Sequence, residues 1–212
     1  MKILCVSDQI DPIVYSSSIK ARYQDVDMVL CAGDLPLDYL DFIVSSINRP
    51  LLFVYGNHNL EGYETYEKYP RNSGLTHMGS RVRRECGLTI AGLGGSMWYN
   101  GGKNQYSELM MFFEMIKIVP SLVINRIFRG RRLDILLTHA APRGIHDKND
   151  PCHRGFRCFL LFMKLFKPRY LVHGHIHLYD LSSVRTTKYE KTLVINAYSQ
   201  YVLNTEEQYN HE

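Results

Sequence analysis

The chain has 212 residues, of which 45% are hydrophobic, 22% charged and 12% aromatic. This composition excludes collagen-like, low-complexity and strongly disordered chains, and the length fits one globular domain. The formal net charge of +4 is too small by itself to indicate a nucleic-acid partner.

The cysteines and the longer apolar stretches indicate the cellular compartment and whether the chain spans a membrane. The chain has 5 cysteines, an odd number that cannot all pair within one chain. The apolar run after Met1-Lys2 is too short for the core of a signal peptide, so we expect a cytoplasmic protein with reduced thiols. The stretch 109–128 is rich in Met and Phe but contains Glu114, Lys117 and Pro120. We therefore expect no membrane span there, but a helix that packs in the core or against another subunit of a homo-oligomer.

Short apolar runs that end in polar residues recur along the chain and predict buried strands. They are Ile3–Val6, Met28–Ala32, Leu51–Tyr55, Leu133–Leu137 and Tyr170–Val172. Apolar residues at helical spacing lie between some of them, at Asp38–Ile47 and Gly155–Phe166. The alternation of strands and helices predicts a layered α/β fold.

The remaining predicted strands have no helix before each of them. They are Gly87–Gly92, Leu181–Arg185, Thr192–Ala197 and Tyr201–Leu203. This arrangement predicts a second, partly antiparallel sheet that packs face to face with the first, with helices outside. We expect a single domain over residues 1–203 and a polar, frayed tail over residues 204–212.

Polar side chains follow the predicted strands at equivalent positions. They are Asp8, Asp34, Asn57-His58, His139 and His175-Ile176-His177. In open α/β sheets, ligands bind beyond the carboxyl ends of the strands, so these groups are expected to converge. His175 and His177 are two residues apart and would face one side of an extended segment, together with His173 if the extension continued.

This set of side chains favours a particular class of metal. Carboxylate and amide oxygens combined with imidazole nitrogens, without thiolate, suit Mn, Fe or Zn. Asp34 is the natural candidate to bridge two cations. Two ions about 3.5–4 Å apart form a clamp for in-line displacement at phosphorus, with a metal-activated water as nucleophile. His58 follows a candidate ligand, Asn57, and is free to protonate the leaving oxygen.

Four short motifs in this order resemble the calcineurin-like metallophosphoesterase superfamily over residues 2 to about 197: Gly33-Asp34, Gly56-Asn57-His58, Thr138-His139 and Gly174-His175-Ile176-His177. The resemblance implies a four-layer αββα sandwich of two mixed sheets flanked by helices, with a dinuclear metal centre. It assigns one metal to Asp8, Asp34 and His177. It assigns the other metal to Asp34, Asn57, His139 and His175, and it makes His58 the catalytic histidine.

A narrower resemblance concerns the loop after His139. The segments 138–144, 153–156 and 92–96 are similar to a branch of small bacterial phosphoesterases. Arg143 lies in the loop that leaves the predicted metal site and is suited to bidentate contact with phosphate. His153 and Arg154 are further candidates for lining the substrate cleft.

The sequence departs from the family pattern at two positions. The family's first motif is Asp-x-His, but here it reads Asp8-Gln9-Ile10, so one ligand of the first metal is missing. Water, Gln9, Asp11 or the more remote His153 could fill its place, and we expect one or two ions per chain with the first site weaker. Asn59 stands where the family usually has an acid after the catalytic histidine, and an amide supports an imidazolium less well.

These observations favour a metal-dependent phosphoesterase that acts on a small phosphate ester, more a phosphodiesterase than a monoesterase. A second hypothesis is a catalytically weakened pseudoenzyme that binds one metal and a phosphate ligand. A third is a nuclease, because two arginine clusters could contact a polyanion: Arg81, Arg83 and Arg84, and Arg126, Arg129, Arg131 and Arg132. The arginines are not interleaved with aromatic residues at base-stacking spacing, which disfavours nucleic acid.

Overall fold

The computed structural model describes residues 1–58, 74–130, 132–180 and 183–206. Within these ranges the chain forms thirteen strands and four α-helices. The strands are β1 Lys2–Ser7, β2 Met28–Cys31, β3 Leu51–Phe53, β4 Leu75–His77, β5 Arg81–Glu85, β6 Leu88–Leu93, β7 Ser96–Met97, β8 Gln105–Tyr106, β9 Ile135–Thr138, β10 Tyr170–His173, β11 Thr186–Tyr189, β12 Thr192–Asn196 and β13 Ser199–Asn204. The helices are α1 Ile19–Tyr23, α2 Leu37–Ile47, α3 Glu108–Arg129 and α4 Arg157–Phe166.

Two large mixed sheets dominate the fold. The first has the strand order β13-β1-β2-β3-β4, and the second has the order β11-β12-β10-β9-β6-β5. In the first sheet β1, β2, β3 and β4 are parallel, and β13 is antiparallel at the edge. In the second sheet β6, β9, β10 and β12 are parallel, and β5 and β11 are antiparallel edges. The parallel strands place their carboxyl ends on a common edge of each sheet.

Burial of both faces of the central strands makes the molecule four-layered. Ile3 and Cys5 of β1 face the second sheet, whereas Leu4 and Val6 face α1 and α2. The outer face of the second sheet packs against α3 and α4. Since a strand buried on both faces reads as a continuous apolar run, the runs in the sequence correspond to these central strands. The predicted αββα sandwich of mixed sheets is confirmed.

Two sequence expectations differ from the structure. The predicted strand Leu181–Arg185 is wrong for residues 183–185, because the strand in this region is β11, which begins at Thr186. Residues 181 and 182 lie outside the described residues. The polar tail does not fray at Asn204, which pairs with Lys2 at the end of β13, and the Thr205 N–H donates to the Met1 carbonyl oxygen. Sheet pairing therefore orders residues that have no apolar pattern of their own.

Helix α3 has one buried and one exposed apolar face. Met111, Met115, Ile118 and Leu122 are buried against the second sheet. The opposite face exposes large apolar side chains, at Leu109, Phe113, Ile116, Ile124 and Ile127. Of the helices that the structure describes, none combines the length and hydropathy needed to cross a bilayer. The expected homo-oligomer stays a prediction.

Candidate metal centre

The carboxyl ends of strands from both sheets bring oxygen and nitrogen donors together. The Nε2 atom of His139, after β9, lies 3.0 Å from Oδ1 of Asn57 and 3.3 Å from Oδ2 of Asp34. Asp34, His139 and His175 each offer a ligand atom within 4.8 Å of the others. Asp34, Asn57, His139 and His175 follow β2, β3, β9 and β10, and the structure brings them together. They are buried at 8% exposure or less.

The backbone is left-handed at three of the candidate ligands. The φ angles are 64° at Asp8, 57° at Asp34 and 65° at His175. A residue with a side chain adopts this region at a cost of order 1 kcal/mol or more, and such residues cluster at functional sites. These left-handed residues follow β1, β2 and β10, at the strand ends where the candidate ligands lie.

Glycines allow the donors to approach one another. A Cβ atom on Gly56 would lie 1.9 Å from Oδ1 of Asp34, and a Cβ atom on Gly33 would lie 2.7 Å from Nδ1 of His139. A Cβ atom on Gly174 would lie 2.5 Å from Oδ2 of Asp8. The glycines directly before Asp34, Asn57 and His175 are thus required by space.

Backbone carbonyls orient the two buried imidazoles. The Nδ1 atom of His139 lies 2.7 Å from the Ala32 carbonyl oxygen, and the Nε2 atom of His175 lies 2.9 Å from the Cys152 carbonyl oxygen. Because a carbonyl only accepts, these ring nitrogens must donate. Nε2 of His139 and Nδ1 of His175 are therefore left for a ligand, which is the usual outer support of metal-binding histidines.

The electrostatics of the cluster favour a cation. Burial raises the pKa of Asp34, but the neighbouring His139 and the N–H of His58 outweigh this effect and bring the pKa to about 2. Burial lowers the pKa of His139, but Asp34 and Asp8 outweigh it and raise the pKa to about 9. Burial, and then His139, lower the pKa of His175 to about 3. Without an ion, a protonated His139 therefore balances the Asp34 carboxylate and His175 stays neutral, and a divalent cation could take the place of that proton.

The residues expected at the first metal are more loosely arranged. The Asp8 carboxylate accepts the N–H of His175 at 3.0 and 2.9 Å, and burial raises the pKa of Asp8. Nε2 of His177 lies 4.0 Å from Oδ1 of Asp8, and its Nδ1 is 2.7 Å from the Tyr179 hydroxyl. The ring of His177 stands 4.9 Å from that of Tyr198.

Among the described residues, the groups of His, Cys, Asp and Glu that could hold a metal ion do not include Asp11, a candidate to replace the missing first-motif histidine. Ile10 is 41% exposed, and Gln9 is exposed. Asp11 is engaged elsewhere: its Oδ1 accepts the N–H groups of Ile13 and Val14, and its Oδ2 accepts the Ser199 hydroxyl at 2.6 Å. Asp11 therefore shapes the loop after β1 through its hydrogen bonds.

His58 sits at the rim of the cluster. Its backbone N–H donates to Oδ1 of Asp34 at 2.8 Å, and its side chain is exposed. This bond fixes the backbone of His58 beside the carboxylate while the ring faces solvent. Asn59 lies outside the described residues.

The expected substrate-binding residues belong to one loop, over residues 143–155. The His153 ring lies 5.2 Å from the ring of His175, so the structure brings it to the cluster. Arg143 donates to Asp147 at 2.7 Å, and Arg154 donates to the Asn149 carbonyl oxygen at 3.4 Å. Both arginines therefore bond within the loop.

Two further residues, Cys152 and Tyr99, lie at the centre. Cys152, His153 and His175 offer ligand atoms within 4.8 Å of one another, and the sequence signal for Cys152 was its neighbour His153. The Tyr99 hydroxyl accepts the Asn57 side-chain N–H at 3.2 Å, which turns Oδ1 of Asn57 toward His139.

His173 does not share a side with His175. Its Nδ1 contacts the Gly174 carbonyl oxygen at 2.9 Å, and its Nε2 contacts Nδ1 of the half-buried His146 at 2.9 Å. The condition for a shared side, an extended segment over residues 173–177, is not met, because the backbone at His175 is left-handed.

Comparison with known proteins agrees with this geometry. The family model described as calcineurin-like phosphoesterase matches residues 1–179, so the chain belongs to that family. Members of the family are metal-dependent phosphoesterases that use divalent metals. A search of curated proteins finds no match.

Solved structures show the same fold at low sequence identity. One crystal structure superimposes with a TM-score of 0.68 and 14% identity, and the match covers 97% of this chain and 95% of the other. The protein TT1561 of Thermus thermophilus has a TM-score of 0.62 and 12% identity, over 92% of this chain and 88% of that one. A protein described as a novel archaeal phosphodiesterase has a TM-score of 0.51 and 15% identity, over 98% and 95%.

Proposed function

We propose that the chain is a metal-dependent phosphodiesterase that hydrolyses a small phosphate ester. The convergence of Asp34 and Asn57 oxygens on Nε2 of His139, at 3.3 and 3.0 Å, carries the proposal. The lone pairs of oxygen and imidazole nitrogen atoms this close repel one another unless a proton or a cation lies between them. The family supplies the reaction class, and the preference for diesters over monoesters is part of the proposal.

The proposed ligands fall into two sets. Asp34, Asn57, His139 and His175 hold one divalent ion, and Asp8, Asp34 and His177 hold the other. The short contacts among Asp34, Asn57, His139 and His175 favour this set as the stronger site. Mn, Fe and Zn suit its oxygen and nitrogen ligand atoms. Bound ions would lower the pKa of a water molecule and neutralise charge that develops on the phosphoryl oxygens.

His58 is the proposed catalytic residue. Its N–H bond to Asp34 holds its backbone beside the ligand cluster, and its exposed ring is free to meet the substrate. A protonated imidazole here donates to the leaving oxygen, a step that typically contributes about 10²–10⁴-fold in rate.

The loop over residues 143–155 is the proposed substrate wall. His153 is the best placed of its three candidates, because the centroid of its ring lies 5.2 Å from that of His175. Arg143 is 28% exposed and bonded to Asp147, so we propose that it acts on phosphate mainly through its charge. Arg154 lies on the exposed side of the same loop.

A one-metal pseudoenzyme is the second candidate. Ile10 offers no donor to the first metal, and the Asp8 carboxylate is already bonded to the His175 N–H. Both facts weaken the proposed site formed by Asp8, Asp34 and His177. A protein of this kind would bind one ion and a phosphate ligand with little turnover.

The proposed setting is the cytoplasm, with a small phosphate ester as partner and self-association through the exposed face of α3. The large apolar side chains on that face support the last point. Nucleic acid is not the proposed substrate.

The test is hydrolysis of bis(p-nitrophenyl) phosphate and p-nitrophenyl phosphate after treatment with EDTA and addition of Mn²⁺, Fe²⁺ or Zn²⁺. We expect metal-dependent turnover, faster on the diester, that falls at least tenfold in Asp34→Asn and about 100-fold in His58→Ala. Asp38→Asn, the same change on α2 away from the cluster, serves as the control and should keep full activity. Metal binding without turnover would support the pseudoenzyme, and equal activity of His58→Ala would remove His58 from the mechanism.

A further inference from the structure

A cavity lies at the amino ends of the parallel strands of the second sheet, opposite the end that carries the candidate metal centre. It has a volume of about 830 Å³ and is lined by residues at the amino ends of the central strands, among them Asp134, Tyr170 and Leu193. Asp134 precedes His139 by five residues along β9, and Tyr170 precedes His175 by five residues along β10. At about 3.3 Å per residue, the cavity is roughly 16 Å from the candidate metal centre. It is therefore a separate site.

The cavity concentrates positive charge. Of the described residues that line it, six are basic and one is acidic; the basic ones are Arg126, Arg132, Lys167, Arg169, Lys188 and Lys191. The whole chain has a net charge of only +4. The acidic residue, Asp134, already accepts the Thr89 N–H at 2.8 Å. A cavity lined by one sign of charge has a positive potential, which attracts anions.

Helix ends explain only part of this charge. Cations near the C-termini of α3 and α4 would offset the partial negative charge there, which accounts for Arg126 and Lys167. Lys188 lies in β11 and Lys191 in the turn that leads to β12, where no helix ends. Separate elements of the fold therefore direct cations to the same space.

Apolar surface completes the cavity. Phe166, Tyr170 and Tyr201 line it beside the cations, and the Arg169 guanidinium stands 5.4 Å from the centroid of the Tyr170 ring. Small-molecule sites usually measure about 300–1,000 Å³ and combine aromatic walls with a few polar groups. Arginine and lysine bind phosphate through charge-assisted hydrogen bonds, and aromatic faces bind flat rings.

We propose that this cavity binds a small organic ligand with at least two phosphate groups, of the nucleoside diphosphate or triphosphate class. The phosphates contact the basic side chains, and the base or another apolar part contacts the aromatic walls. The site requires no divalent ion, which separates it from the candidate metal centre.

The experiment is isothermal titration of the full chain with ADP in the presence of EDTA, with adenosine as the ligand that lacks phosphate. We expect one ADP per chain, at least tenfold weaker binding of adenosine, and weaker ADP binding as salt rises. The double variant Lys188→Glu and Lys191→Glu should weaken ADP binding at least tenfold; both positions are exposed, so the fold should persist.

The matched control is Lys20→Glu with Arg22→Glu. It makes the same change in net charge on α1, on the other side of the molecule, and should change the affinity less than twofold. The proposal is overturned by failure of ADP to bind, or by equal losses in the two double variants. Binding of a single-stranded oligonucleotide without binding of ADP would overturn it in favour of nucleic acid.

Discussion

The backbone N–H of His175 donates to both carboxylate oxygens of Asp8, at 3.0 and 2.9 Å, across 167 residues of sequence. This contact joins the carboxyl end of β1 in the first sheet to that of β10 in the second. It closes the edge at which the two sheets supply the candidate ligands. It also engages the carboxylate of Asp8, a proposed ligand of the first metal. Ile10 stands where the family's Asp-x-His motif supplies a histidine to that metal.

Restoring that histidine should strengthen the first metal site. In Ile10→His we expect the number of bound Mn²⁺ ions to rise from about one to about two per chain, because imidazole supplies the missing donor. Elemental analysis after dialysis and titration calorimetry measure the change. Ile13→His is the control, since Ile13 is 42% exposed and Ile10 is 41% exposed in the same loop. Unchanged stoichiometry in Ile10→His would show that residue 10 does not reach the ion.

The glycine before Asn57 should be essential for metal binding. In Gly56→Ala the added Cβ atom would lie 1.9 Å from Oδ1 of Asp34, so the carboxylate must move away from His139. We expect affinity for Mn²⁺ to fall at least tenfold, measured by titration calorimetry, with circular dichroism as the check on folding. In Gly87→Ala the Cβ atom meets nothing within 4 Å; the φ of 86° there makes the change cost some stability, but affinity should be retained. Wild-type affinity in Gly56→Ala would contradict the claim that the close approach of Gly56 to Asp34 leaves no room for a side chain.

Asp147 should stabilise the loop over residues 143–155. Its carboxylate is 7% exposed and accepts bonds from the Arg143 guanidinium and from the N–H groups of Gly144 and Gly155. Because Asp147→Ala leaves these donors without their acceptor, we expect the free energy of unfolding to fall by about 1–3 kcal/mol in urea titrations. Asp147→Asn keeps one acceptor oxygen and should lose less. Equal losses in the two variants would mean that charge, and not the number of bonds, holds the loop.

Glu114 should contribute a pH-dependent part of the stability. It links α3 to Ser80 before β5, with a hydrogen bond of 2.5 Å. Burial raises the pKa of Glu114, but Lys117 and the Ser80 hydroxyl outweigh this effect and lower the pKa below the ordinary 4.5. A depressed pKa stabilises the fold above the unfolded value, and that stability is lost as pH falls through the folded value.

Glu114→Gln should therefore be less stable than wild type at pH 7, by under about 1 kcal/mol because the pair is partly exposed. The difference should shrink as the pH is lowered below 4.5. Urea unfolding at several pH values measures it. A difference that grows toward acid pH would contradict the sign.

Much of the fold could be predicted because the central strands are buried on both faces. The predicted strand Ile3–Val6 lies within β1, and the predicted helix Asp38–Ile47 lies within α2. The edge strands were harder: β5 has the sequence Arg81–Glu85, which is mostly charged, and its strand structure comes from pairing with β6. Edge strands have one solvated side, so their composition carries little signal.

The sequence by itself determined which residue types stand at the strand ends and therefore the class of chemistry, because the buried runs and the glycines before the ligands are local features. Only the tertiary structure decided which donors meet. Asn57 reaches His139 across 82 residues, Asp11 is committed to Ser199, and Arg143 is bonded to Asp147. The physical reason is that hydrogen-bond partners distant in sequence are selected by packing and chain direction. At Asp8, Asp34 and His175, single left-handed residues reset that direction where strand periodicity ends.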